Sequence, residues 1–253
     1  MRLEMGMSTP AKTPYPVLHC DVLVIGGGSA GAMAAIRAKE LDPRCDVVVL
    51  EKGDMKYSGC IARGTDALNI VAVPGISTPE LYVEANGMAC EGIMDEPPGY
   101  IMAKRSWDLM KKLESWGVCF PVDDDGSYEV LQVHPKGRFC VTMKEPELKT
   151  MLAARAKELG VRVVNRSMAV ELIRRDGRVA GAVAMNVRSG EIFVVSAGAV
   201  ILSAGGTARF GLPNNGYLYG VYDYPGNTGD GYCLAYRAGA ELRDMEFVQF
   251  HPT

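Results

Sequence analysis

The chain has 253 residues, 48% of them hydrophobic and 23% charged, and a formal net charge of −3. This composition belongs to globular proteins, with room for one large α/β domain or two small ones, and excludes disordered and fibrous classes. The slightly acidic balance offers no field to attract a phosphate backbone, so no nucleic-acid partner is expected. No apolar run approaches the roughly 20 residues that span a bilayer. The N-terminal stretch also lacks the continuous apolar core of a signal peptide, so the expected location is cytoplasmic, with no direct membrane insertion. The seven cysteines are scattered without a C-x-x-C pair. They fit neither a metal or iron–sulfur site nor a disulfide framework.

Residues 1–19 carry no periodic pattern and read as a flexible leader. DVLVIGGGSAGAMAAIRAKELDPRCDVVVLEKG, residues 21–53, gives an apolar run, a glycine cluster, an Ala-rich helical stretch and a second apolar run, the pattern of a βαβ unit. Residues 58–77 are glycine-rich and show neither a helix nor a strand period. A helix is predicted from the cap-like Thr78, with Pro79 at its first position. A second covers 97–116 and ends at Gly117. The acidic VDDDGSYE reads as a solvated turn. It lacks the remaining ligand spacing of a calcium loop.

A third helix runs through EPELKTMLAARAKELG to Gly160, and VRVV, 161–164, follows as a parallel strand. The period then changes. Residues 168–197 hold three strand-like runs separated by Asp176-Gly177 and Ser189-Gly190, which are hairpin signals. AVILSAGG, 199–206, returns to a buried parallel strand running into a glycine turn, followed by a Gly/Asn/Tyr/Pro loop, a short helix over 229–239 and a final strand. The predicted fold is α/β and Rossmann-like, a parallel sheet that carries an antiparallel β-meander insertion, filling residues 20–253.

Gly26, Gly28 and Gly31 form G-x-G-x-x-G between a strand and a helix. The first glycine permits a tight turn, the second lets backbone N–H groups approach a diphosphate, and the third allows close helix–strand packing. The helix N-terminus adds partial positive charge. Glu51 ends the second strand, where a carboxylate can accept from a ribose hydroxyl and disfavours a 2′-phosphate, and therefore NADP. A plain NAD enzyme would continue βαβαβ from here. This chain instead enters KYSGCIARGTDALN and reaches its next parallel strand only at 161, with a meander before VILSAGG. That layout favours FAD over NAD.

The segments VIGGGSAGAMAA, SGCIARG, VILSAGG, NTGDGYCLAYRAGA and MEFVQFHPT occur in one order from residue 21 to 253. Together they resemble the flavoprotein subunits of the fumarate reductase and succinate dehydrogenase family. SGCIARGTDALN is also similar to the flavoprotein subunit of adenylylsulfate reductase, an enzyme in which flavin N5 attacks sulfur and which is not expected to carry QFHPT. The resemblance implies FAD, with Gly26, Gly28, Ser29 and Gly31 at the pyrophosphate, Glu51 at the adenosine ribose and Lys52 beside it. Ser58, Gly59 and Gly64 would line the isoalloxazine. Ala169 would meet the adenine through its backbone, Ala204, Gly205 and Gly206 would close over the cofactor, and Asp230 would bond to its flavin side.

Members that attach FAD covalently have a histidine where this chain has Gly59, so the resemblance implies a noncovalent flavin. His251 would hold a carboxylate of a small dicarboxylate or similar activated alkene, with Gln249 on the same side of the strand. Electrons would come from an iron–sulfur partner subunit, through which the protein could lie peripheral to a membrane. The family's remaining catalytic groups and its capping domain lie beyond HPT. The segment is therefore expected to be incomplete and inactive by itself. A non-catalytic FAD-binding electron-relay module is the alternative from a different class. His134 and Arg138 read as surface residues, Cys60 as a small buried residue near the flavin, and Tyr217, Tyr219, Tyr222 and Tyr224 as packing over the adenine or against a partner.

Overall fold

Val47, Val48, Val49 and Leu50 are each exposed by 1% or less, and Glu51 after them by only 7%. Burial of every residue in a β-branched run marks a strand covered on both faces, as in parallel sheets. The computed structural model describes residues 14–63, 65–144, 147–207, 224 and 226–246. In chain order the elements are β1 (Val17–Ile25), α1 (Ser29–Leu41), β2 (Val47–Glu51), a 3-10 turn (Cys60–Arg63), β3 (Ala67–Leu68), α2 (Pro79–Ala89) and α3 (Glu96–Ser115). They continue with β4 (Val130–Leu131), β5 (Cys140–Thr142), α4 (Leu148–Glu158), β6 (Arg162–Asn165), β7 (Ser167–Arg175), β8 (Arg178–Asn186), β9 (Ile192–Leu202) and α5 (Asp230–Arg237). They form two compact units, one of residues Met1–Ala62 and Lys149–Thr253, the other of Arg63–Leu148.

The first unit is built on a six-stranded sheet of order β6-β2-β1-β9-β8-β7. β6, β2, β1 and β9 are parallel neighbours, while β8 and β7 pair antiparallel. α1 packs on β1 and β2 through buried Ala32, Ala35 and Ile36. On the other face Leu23, Ile25, Leu50, Ala169, Ala184 and Val195 join Leu234 of α5 in one core. The expected parallel sheet with an antiparallel meander is therefore present, with three differences of detail.

First, β1 begins inside the expected leader: Val17, Leu18 and His19 pair with Val194, Val195 and Ser196. Leu18 and Cys20 rest on the core, but the polar residues alternating with them hide the strand from an apolar-run reading. Second, the third meander run and the strand at 199–202 are one strand, β9. Gly198 looks like a break in sequence. It instead marks a close approach, since a Cβ there would lie 3.0 Å from the Asp21 carbonyl of β1. Third, residues 58–77 are not wholly irregular, because they contain the 3-10 turn and β3.

In the second unit Thr78 caps α2 as predicted, its hydroxyl accepting from the Leu81 N–H at 3.1 Å. Gly117, at φ 101°, follows α3 in the left-handed conformation that glycine tolerates at a helix end. α2 and α3 enclose Tyr82, Ala85, Ala103 and Phe139, with the Tyr82 and Phe139 rings edge to face at 5.3 Å. A small antiparallel sheet, β3-β5-β4, completes the unit. His134 and Arg138 have structural partners there. The imidazole meets Asn69 at 3.0 Å, and the Arg138 Nε donates to the Val130 carbonyl at 2.8 Å.

Candidate cofactor site

The turn after β1 is shaped by two glycines that the backbone demands and one that it does not. Gly26 has φ 96°, and a Cβ on it would fall 2.5 Å from the Ser203 carbonyl after β9. Gly31 lies so close under the turn that a Cβ would sit 1.9 Å from the Gly26 carbonyl. Gly28, the N-cap of α1, has φ −63°, which any residue can adopt. Nothing lies within 4 Å of the place its Cβ would take. The fold therefore leaves open the space in front of Gly28, as a close-fitting ligand requires and an internal packing contact would not.

Two side chains from neighbouring strands hold this turn. Glu51, at the end of β2, accepts the Gly27 N–H at Oε2 (2.7 Å) and the Gly53 N–H at Oε1 (2.6 Å). Each carboxylate oxygen has a second lone-pair direction, so acceptor capacity remains for a sugar hydroxyl. The Ser203 hydroxyl donates to the carbonyls of Ile25 (3.0 Å) and Gly26 (2.9 Å), stitching β9 to the turn. From behind, Lys149 of α4 donates its ammonium to the Gly27 carbonyl while only 1% exposed. Burial pushes the Lys149 ammonium down to about 8, although the carboxylates of Glu51 and Asp54 favour its charged form.

A single cleft runs from this turn along the carboxyl ends of β1, β2 and β9 to α5. Gly26, Gly28, Ser29, Glu51, Lys52, Gly59, Ala169, Ala204, Gly205 and Asp230 of the sequence-derived set line it. That is where an open parallel sheet receives its ligand. Gly31 and Gly206 are not among the lining residues; the Gly206 carbonyl accepts the Gly229 N–H at 3.2 Å. Ser58 is 2% exposed and bonds the Asp54 carbonyl at 2.8 Å, so it anchors a turn rather than facing the cleft. Gly64, Gln249 and His251 lie outside the described residues, as do Tyr217, Tyr219 and Tyr222.

At the other end of the cleft, Lys52 donates to Asp230 Oδ2 at 2.5 Å and to the Thr228 hydroxyl at 2.8 Å. Asp230 is the first residue of α5. Gly229, at φ 77°, holds the cap position. Cys60, expected to be buried, is instead exposed and lines the cleft, its sulfur accepting from Asn227 Nδ2 at 3.3 Å. Tyr224 lines it too, with its phenol pushed up by burial and by the Glu51 carboxylate, against a smaller effect of Arg166.

Sequence reasoning missed Lys149, Ser203 and Asn227. Ser203 sits inside a recognised motif, and its role could have been sought there. Lys149 looks like any lysine on a helix surface, and no local signal marks it as buried.

Among the described residues no group of three or more His, Cys, Asp or Glu could hold a metal ion, and no helix is long and apolar enough to cross a membrane.

The FAD binding domain family matches residues 21–253. The flavoprotein subunit of fumarate reductase from Mycobacterium tuberculosis is 33% identical over 257 residues, covering 92% of this chain and 39% of the relative. One subunit of the CoM/CoB fumarate reductase of Methanothermobacter marburgensis is 30% identical over 249 residues, covering 93% of this chain and 42% of the relative. Among solved structures, adenylylsulfate reductase from Archaeoglobus fulgidus superimposes with a TM-score of 0.75 at 27% identity, over 89% of this chain and 37% of that one. The chain spans less than half the length of the relatives it matches. It belongs to the FAD binding domain family of flavoprotein oxidoreductases, with fumarate reductase flavoprotein subunits among its homologues.

Proposed function

We propose that the chain is the cofactor-binding part of an oxidoreductase that reduces a small dicarboxylate or similarly activated alkene, using noncovalent FAD fed by an iron–sulfur partner subunit. The observation that carries the reading is the open space before Gly28, at the N-terminus of α1 and between the Glu51 and Ser203 supports. A diphosphate placed there would meet backbone N–H groups and the positive end of the helix. When bound, FAD supplies a two-electron hydride carrier.

The roles assigned to the chain's own residues come from the family resemblance, and the positions of the described ones support them. Glu51 holds the turn and keeps acceptor capacity for the adenosine ribose, with Lys52 beside it. Ala169 borders the cleft on β7 for the adenine, and Ala204 and Gly205 border it after β9. Asp230, anchored by Lys52 and Thr228, faces the flavin side. Gly59, at φ 91°, has no side chain to form a covalent link, which supports a noncovalent flavin. His251 and Gln249 are assigned to the substrate carboxylate, where hydrogen bonds would stabilise charge developing on reduction. The location in this reading is cytoplasmic, peripheral to a membrane through the partner.

A second reading, an adenylylsulfate-reductase-like enzyme, is supported by SGCIARGTDALN and by the similarity to the Archaeoglobus fulgidus enzyme. The complete gene product, assayed with reduced viologen as donor, separates the two. Oxidation of viologen by fumarate but not in the adenylylsulfate couple supports the first. The reverse result overturns it.

A further inference from the structure

We propose that Lys149 is a positioning residue for the cofactor's diphosphate, a buried cation that holds the Gly27 peptide and offsets the Glu51 charge beneath the glycine turn. The proposal rests on the reading of that turn as the diphosphate site.

The Gly27 peptide is gripped at both ends. Its N–H donates to the Glu51 carboxylate and its carbonyl accepts from the Lys149 ammonium. Glu51 fastens the turn through Gly27 and Gly53, yet it brings a negative charge to the turn proposed to hold two phosphates. Alone, that carboxylate would repel the ligand it helps to seat. A compensating positive charge on the same peptide removes the conflict, and Lys149 is placed there from α4, remote from Glu51 in sequence.

An ammonium has three donors. Among the described residues only the Gly27 carbonyl is bonded to this one, and no carboxylate touches it. Keeping a lysine 1% exposed without a bonded counter-ion is unfavourable for the empty protein. A purely space-filling role would be filled as well by a methionine of similar length, which has no proton to donate to the Gly27 carbonyl. The arrangement gains its value when an anion arrives on the far side of the turn.

The charged groups acting on the ammonium are Glu51 on β2 and Asp54 in the turn after it, both favouring the cation against the effect of burial. Beyond Glu51 stand Tyr224 and, next to it, Arg166. With burial holding Lys149 down to about 8, diphosphate binding on this proposal draws a proton onto it at alkaline pH. Below that point it need not.

The test uses the complete gene product as wild type, Lys149→Met and Gly28→Val. FAD binding is followed by calorimetry from about pH 6 to pH 9.5, a range that brackets the titration, in buffers of differing ionisation enthalpy. The wild type should take up close to one proton on binding at the alkaline end and almost none at the acidic end, with affinity falling as pH rises through 8. Lys149→Met should bind more weakly at acidic pH by on the order of tenfold or more, the effect of one charged hydrogen bond, and should show no such proton uptake.

A Lys149→Met protein with wild-type affinity and pH profile overturns the proposal. If that variant does not fold, the wild type alone decides, because absence of proton uptake above pH 8 is equally fatal. Gly28→Val guards the underlying reading. It should abolish binding, and if it binds FAD normally the diphosphate assignment itself is overturned, and Lys149's role with it.

Discussion

Gly27 donates its N–H to Glu51 Oε2 at 2.7 Å, so the last residue of β2 is the fastening of the turn that follows β1. The same carboxylate holds the Gly53 N–H. Glu51→Ala would leave two donors unpaired at a site only 7% exposed, for a loss of about 3 kcal/mol. Glu51→Gln keeps one acceptor oxygen and should lose about half of that. Urea unfolding of the apo protein measures both.

Gly28 and Gly31 should respond to alanine in opposite ways. At Gly28 the added Cβ enters open space, so apo stability should change by less than about 1 kcal/mol while FAD affinity falls. At Gly31 the Cβ would collide with the Gly26 carbonyl backbone, so stability should drop by about 3 kcal/mol or more. Thermal melts of the apo variants, paired with flavin fluorescence titrations, separate steric cradle from structural hinge.

The pH dependence of apo stability should carry the mark of Lys149. Its folded value of about 8 lies below the ordinary lysine value. The unfolded chain therefore binds more protons between the two, and stability rises with pH across that window. The contribution is about 3 kcal/mol if fully expressed. Other groups titrate in the same range, among them Cys20, pushed up to about 11 chiefly by burial, which acts with the opposite sign. The difference between wild type and Lys149→Met isolates the lysine, and that difference should climb from pH 8 upward.

Lys52→Met should remove the bridge to Asp230 and Thr228. Because both partners are about a quarter to a third exposed, the stability loss should be no more than about 1 kcal/mol. Salt should weaken the wild-type contribution and leave the variant unchanged, which denaturation at two ionic strengths would check.

Much of this architecture was legible because local rules and tertiary demands coincide. The buried valines of β2, the Thr78-Pro79 helix start and the Asp176-Gly177 hairpin each follow from chemistry within a few residues. The β1 start was hidden because Val17–Cys20 alternate in exposure, and their pairing partner lies at 194–197. The continuity of β9 was hidden because Gly198 serves a neighbouring strand rather than a turn. In the site, the glycines and Glu51 announce themselves by spacing. Lys149 does not, because its burial depends on α4 packing behind a turn formed more than a hundred residues earlier. Ser58 shows the converse: a motif residue that the fold uses to bond Asp54.

β9 pairs with β8 over Ile192–Ser196, with β1 over Val194–Leu202, and then delivers Ser203 to the glycine turn. It acts as a ruler between a distant hairpin and the cofactor cradle. A strand offers its side chains to alternate faces, so a slip of one residue would turn Val195 out of the core and carry the Ser203 hydroxyl away from Gly26 in the same movement. An added residue at the Ser189-Gly190 tip can bulge outward harmlessly. One inserted between 197 and 202 would misplace the cradle while leaving the meander intact, so this stretch should tolerate side-chain exchange far better than any change of length.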